Sequence, residues 1–397
     1  MLTGSVGRVD AARARIAVPA QAPRLPVIID TEIGGEPDDA IALAVAAREL
    51  PELALVVTSD EISGQRARFA RYLLDCLHRP DVPVVAGHQL SATPCYFAHG
   101  LTPRQVSGDP DDVALAVAAV CGRGGGRARW IGLGPLTNLA ALLTEDPGLA
   151  RRLSITQLGG LGALGWLSGL GEGGPSLPQR NFRLDPASAR VVLGAARDLR
   201  VVNVDAAFSR DAAITAASPL YRELADPAAP RWARVLAAHC GQFFAQYHPA
   251  VIPAGPLTLS AALRLPFAQF RATRVSVDRA GRMREDHAGS SALVSTCADG
   301  PAVSHWLHAR LRPVSWPGWP ARAGVRRGPP APVNRPDVTP PVPGPDGSRS
   351  GTRPWCRRCP EGIPSRRPSA RRGTAHAPGP RTGRPAPPGR RPVPRRR

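Results

Sequence analysis

The chain has 397 residues and a formal charge of +20, from 51 basic residues, all of them Arg, against 31 acidic ones. The excess is local. Val314–Arg397 holds 19 Arg, 21 Pro and 3 acidic residues, so the remainder is nearly balanced and its charge calls for no nucleic-acid partner. No apolar run is long enough to span a membrane, residues 1–24 lack the compact apolar stretch of a signal peptide, and seven scattered cysteines make no disulfide framework.

Residues 1–24 read as a flexible leader. From Leu25 to Arg312 apolar runs alternate with helical patterns. The strand candidates are Val27–Asp30, Leu53–Val57, Val82–Ala86, Trp130–Leu133, Ile155–Leu158 and Val201–Val204. The helix candidates are Asp39–Glu49, Gln65–Leu77, Val113–Cys121, Leu136–Leu143, Pro186–Leu193, Arg231–Gln246 and Leu257–Leu263. Val275–Val277 and Ala292–Ser295 suggest a small late hairpin, and Ala302–Leu311 a closing helix. This alternation predicts an α/β fold, one large domain over 25–312 with a mostly parallel open sheet flanked by helices. Residues 313–397 are too rich in Pro, Gly and Arg to bury a core and are expected to be disordered. The abrupt change of composition there also fits readthrough or a shifted frame.

Five acidic residues, Asp30, Glu32, Glu36, Asp38 and Asp39, fall within ten positions where a strand gives way to a helix. In open α/β sheets ligands bind at the carboxyl ends of strands. Carboxylates crowded there repel one another unless a cation lies between them, and hard oxygen donors suit Ca²⁺ or Mg²⁺. The competing reading is helix capping. The dipole favours acids in a first turn and Pro37 suits that position, which explains Asp38 or Asp39 alone but not Asp30, Glu32 and the Gly34-Gly35 pair.

Four segments resemble the inosine-uridine nucleoside hydrolase family. Asp30-Thr31-Glu32, Gly34-Gly35 and Asp38-Asp39-Ala40 follow its N-terminal signature, with Glu32 where the family usually has Asp. Gly134-Pro135-Leu136-Thr137-Asn138 follows a second hallmark, although by pattern alone it is also a plain strand-to-helix turn. Leu158-Gly159-Gly160 and Asn181-Phe182-Arg183-Leu184-Asp185-Pro186 follow two further segments, with Gln179 where Glu is common. The resemblance implies an N-glycosyl hydrolase of ribonucleosides, using Ca²⁺ and an activated water; the scattered cysteines make a reducing cytoplasm the default expectation for its location. It implies Asp30, Glu32, Asp39 and the Thr137 carbonyl at the metal, with Asp30 in or just behind the ligand shell. Asp38 would hold a ribose hydroxyl, and Asn181 and Gln179 the sugar. Glu32 or a neighbouring carboxylate would accept the proton from water. Asp185 is expected only to start a helix. The expected partners are a small nucleoside and other copies of the chain in a homo-oligomer, with no membrane and no specific nucleic acid.

One departure is large. Where the family carries His-Asp before its last motif helix, this chain has Ala254-Gly255. Neither residue can ligate a metal or protonate a leaving base, so impaired hydrolysis, or a non-catalytic nucleoside-binding homologue, is the alternative expectation. His248 and His99 read as surface residues. Asp60 and Glu61 are pocket candidates or part of a solvated loop, and Asp205 closes a strand. Cys356 and Cys359 have zinc-ligand spacing without a second pair, and the Arg-rich tail offers a separate route to polyanion binding.

Overall fold

The computed structural model describes residues 25–92, 94–104, 112–123, 125–160, 178–203 and 210–313. The expected leader, the tail from Val314, Asp205 and the Cys356/Cys359 pair lie outside the described residues.

Eleven strands are described: β1 Val27–Thr31, β2 Leu53–Thr58, β3 Val84–Ala86, β4 Ala128–Gly132, β5 Leu153–Leu158, β6 Asp198–Val202, β7 Ile214–Thr215, β8 Ala250–Val251, β9 Ala268–Val277, β10 Met283–Glu285 and β11 Ser290–Ala298. Nine of them form one sheet in the order β10-β9-β11-β6-β5-β4-β1-β2-β3. From β3 to β11 all neighbours are parallel, and β9 and β10 add an antiparallel edge. β1 is buried along its whole length. Val27 and Ile29 enter one apolar cluster and Ile28 the other. That double burial is why β1 reads as a continuous apolar run.

Helices α1 (Pro37–Glu49) and α2 (Gln65–Cys76) cover one face. The helices Arg231–Gln246, Ala254–Ala262 and Gly300–Leu311 pack on the same side. Helices α3 (Val113–Arg123), α4 (Thr137–Glu145), α5 (Leu149–Arg152), α6 (Arg180–Leu184) and α7 (Pro186–Ala195) supply the apolar residues of the other. The expected mostly parallel open sheet flanked by helices is what the structure shows. No described helix is long and apolar enough to cross a membrane.

The late hairpin is larger than its sequence suggests. β9 and β11 pair from Ala268↔Ala298 to Val275↔Ser290, and β11 joins the main sheet beside β6. Only Val275 and Val277 of β9 are buried, and Gln269, Arg271 and Arg274 face outward. An edge strand of this kind shows a short apolar signal for a long pairing. The helices α5, α6 and Pro219–Leu224, and the β7–β8 ribbon, are too short to carry a periodicity.

The connectivity places the site. The chain leaves β1 for β2 and β3, then returns to β4 on the other side of β1. The carboxyl ends of β1 and β4 therefore flank the point where the strand order reverses, the usual ligand crevice of such sheets.

Candidate active site

Asp30 ends the apolar part of β1 and is buried. Asn138, in the first turn of α4, donates 3.1 Å to Asp30 Oδ1 and 3.0 Å to the Thr58 carbonyl, tying β1, β2 and α4 together. After Glu32 the chain turns sharply. Gly34 has φ +89°, and a Cβ there would run into the Tyr96 ring. Pro37 then opens α1 with Asp38 and Asp39 in its first turn. Thr31 Oγ1 donates 2.6 Å to Asp39 Oδ2. Asp38 Oδ2 accepts the Gly255 N–H at 2.8 Å, at the start of the Ala254–Ala262 helix. Asp38 thus lies at two helix N-termini, where the dipoles favour its charge.

The crowding changes the acids. Burial, then repulsion from Asp39 and Glu36, raises Asp38 well above the usual carboxylate range. Burial, then repulsion from Glu32, pushes Asp39 up to about 7 despite the Thr31 hydrogen bond. Burial likewise pushes Asp30 up to about 7, against the pull of Asn138. Carboxyl groups poised near neutrality suit proton transfer at physiological pH.

Glu32 has a different setting. Its side chain is 14 % exposed, and its Oε2 lies 3.3 Å from Arg180 Nε and 4.0 Å from Arg66 Nη2. Asp60, after β2, is fully buried rather than solvated. Its φ of +47° turns it inward, where it meets Arg180 Nη2 at 3.2 Å and Arg66 Nη2 at 3.6 Å. Ser91 donates to Asp60 through both N–H and hydroxyl, at 2.8 and 3.0 Å. The wholly buried Arg66 also donates to the carbonyls of Asp60, Ile33, Cys95 and Glu32. Glu61 is buried too, but it caps the start of α2, accepting from the Ile62, Arg66 and Ala67 N–H groups.

The Asn181 segment arrives through α6. Asn181 is buried and donates 2.6 Å to the Leu133 carbonyl and 3.2 Å to that of Leu158, bracing the ends of β4 and β5. Gln179 is the N-cap of α6; its Oε1 accepts from Asn181 N at 2.9 Å and Phe182 N at 3.4 Å. Thr137 is not brought to the cluster. Its hydroxyl donates 2.7 Å to Asp185 Oδ2, and as the first residue of α4 its carbonyl points along the helix, away from the strand ends. The carbonyl at the crevice is that of Leu133. Asp185 caps α7 through Ser188 N at 3.0 Å, the expected helix start, and adds the tie to Thr137.

Among the described residues, the far wall at Ala254-Gly255 carries no acid or imidazole. His248 is exposed and turns its Nδ1 to Ala250. His239, from the Arg231–Gln246 helix, is buried with Nε2 3.0 Å from the Gly35 carbonyl, and burial lowers its pKa to about 4. His99 packs edge-on against Tyr96. Among the described residues no three His, Cys, Asp or Glu side chains gather to hold a metal ion. Glu32 is occupied by guanidinium groups, and Gly255 offers an N–H in place of a carboxylate. In this arrangement the donor set does not fit the expected Ca²⁺. Arg66, Arg180 and the Leu133 carbonyl are the site groups that no sequence signal marked.

Residues 27–304 match the sequence profile described as inosine-uridine preferring nucleoside hydrolase. The chain belongs to this family. It is 28% identical over 242 residues to the pyrimidine-specific ribonucleoside hydrolase RihA of Enterobacter sp., covering 57% of this chain and 72% of that one. It is 30% identical over 197 residues to uridine nucleosidase 1 of Arabidopsis thaliana, covering 45% and 56%. The solved plant nucleoside hydrolase PpNRh1 shares the fold, with TM-score 0.61 at 22% identity over 73% of this chain and 99% of that structure. In this nucleoside hydrolase family member, the carboxylates after β1 lie at the sheet's switch point.

Proposed function

We propose that the chain hydrolyses the N-glycosidic bond of ribonucleosides in the crevice at the ends of β1 and β4. The observation that carries this reading is the family match over residues 27–304, with Asp30, Asp38 and Asp39 buried together at that crevice. The reaction needs a water aimed at the anomeric carbon, a place for its proton, and room for a cationic sugar. Negative charge beneath the ring stabilises an oxocarbenium-like sugar electrostatically. Glu32 or Asp39 takes the proton from water, and Asp39, pushed up to about 7, is matched to that task near neutrality. Asp38 holds a ribose hydroxyl, with one oxygen fixed by Gly255 N–H. Asn181 and Gln179 bound the sugar side through α6.

Departure of the base is the weak step. Ala254 and Gly255 supply no proton, and His239 and His248 are committed elsewhere. General acid catalysis is typically worth about 10²–10⁴-fold, so bases that leave without a proton are favoured. The same absence supports a second reading, a homologue that binds nucleosides with little turnover. A reducing-sugar assay over a panel of purine and pyrimidine nucleosides, with and without added Ca²⁺, decides between them. Ribose release from at least one nucleoside is expected. Nucleoside binding by calorimetry without release would favour the second reading, and neither binding nor release would remove both.

A further inference from the structure

Arg180 bridges two carboxylates that reach the crevice from different strands. Its Nε lies 3.3 Å from Glu32 Oε2, after β1, and its Nη2 lies 3.2 Å from Asp60 Oδ2, after β2. A planar guanidinium with two of its N–H groups on two acids is well suited to such a bridge. Arg66 stands behind it, but the two arginines are not equivalent. Arg66 is fully buried and bonded to four backbone carbonyls, so it belongs to the frame. The Arg180 side chain is 31 % exposed and reaches the acids from the first turn of α6. Together the two guanidinium groups balance Glu32 and Asp60 without any free ion.

We propose that Arg180 is a tethered cation that holds Glu32 and so competes with a free divalent ion for the carboxylate site. A metal ion at Glu32 Oε2 would have to displace the guanidinium or bind beside its positive charge, and in a partly buried site that repulsion is poorly screened. Removing the charge frees Glu32 beside the already crowded Asp30 and Asp39, and ligand charge count tunes Ca²⁺ affinity. The chain therefore binds divalent ions weakly while Arg180 is in place, whatever its activity on nucleosides.

Calorimetric titration of the full chain with Ca²⁺, in the absence of nucleoside, tests this. Arg180→Met should bind Ca²⁺ at least about tenfold more tightly than wild type, a gain of the size expected for one removed like charge. Arg180→Lys keeps the charge and should stay near wild type. Arg180→Met with Glu32→Gln should lose the gain. Circular dichroism confirms that each variant is folded, and Arg180→Gln replaces Arg180→Met if the latter is not. Equal affinity of wild type and the uncharged variant, whether tight or undetectable, overturns the proposal. So does a gain that Arg180→Lys shares or that survives Glu32→Gln. Because no turnover is read, failure of the hydrolysis proposal leaves this result interpretable.

Discussion

The two walls of the crevice are built from opposite materials. The wall after β1 and β2 holds seven acids, Asp30, Glu32, Glu36, Asp38, Asp39, Asp60 and Glu61, and two arginines that tie some of them down. The wall at Ala254-Gly255 presents a methyl group and a backbone N–H. A hydrogen bond joins the two, with Asp38 Oδ2 accepting from Gly255 N. On the first wall, charge needs fixed counter-charge and hydrogen bonds to remain buried. On the second, a helix N-terminus supplies a partial positive charge without any side chain. The site can thus hold Asp38 against a wall that offers it no side-chain partner.

The largest expected effect lies in the first wall. Arg66→Ala removes a buried cation from Asp60 and Glu32 and takes a donor from four backbone carbonyls. Removing one partner of a buried pair costs about 3–5 kcal/mol, read as a lower midpoint in urea unfolding. A loss below about 1 kcal/mol, the range of surface pairs, would mean that water reaches this wall freely.

His239 supports the same wall from behind, through the Gly35 carbonyl. Burial lowers its pKa from 6.5 to about 4. As pH falls, the unfolded chain takes up this proton first, so stability present above pH 6.5 is lost progressively towards pH 4. The loss is of order 3 kcal/mol at the acid end, at 1.36 kcal/mol per unit. Asp30 and Asp39 act in the opposite direction, because their raised values favour the folded state as pH falls. Thermal melts of wild type against His239→Gln isolate the histidine. A difference that stays constant from pH 7 to pH 4 would contradict its assignment.

The far wall gives a smaller effect. A Cβ at Gly255 would lie 3.0 Å from the Asp38 carbonyl oxygen and 3.3 Å from Asp38 Oδ2. Gly255→Asp therefore adds both crowding and like charge. Overpacking costs about 1–3 kcal/mol, so its melting temperature should fall, and the variant should not behave as a simple restoration of a family side chain. An unchanged or higher melting temperature would show that the two walls have room between them.

What could be read from the sequence follows the same division. β1 and β2 announce themselves because burial on both faces makes each an apolar run, and the acids after β1 stand out against it. β4 and β5 carry polar residues among their buried ones, Arg129 in β4 and Ser154, Thr156 and Gln157 in β5, and show only shorter apolar pieces. β9 was legible only at Val275–Val277, since polar residues interrupt the rest of it and only Val275 and Val277 are buried. Arg66 and Arg180 carried no signal. They lie 34 and 148 positions from Glu32, in a chain with 51 arginines, and only the fold brings them to one carboxylate. Thr137 shows the converse. Its segment was visible, but helix geometry turns its carbonyl away, and the extended chain at Leu133 presents one instead.

The smallest effect concerns Gln179, which the resemblance led us to expect at the sugar. Its Oε1 is engaged by two N–H groups of α6. If capping is its work, Gln179→Ala costs about 1 kcal/mol, and Gln179→Ser, a good cap, recovers most of it. Nucleoside affinity should then follow stability, because the role is to hold Asn181 in place against Leu133 and Leu158. If Gln179 instead touches the sugar directly, Ser restores the melting temperature and leaves binding weak. Thermal melts and nucleoside titrations on the two variants separate these outcomes. They also show whether position 179 acts on the ligand or only on the helix that carries Arg180.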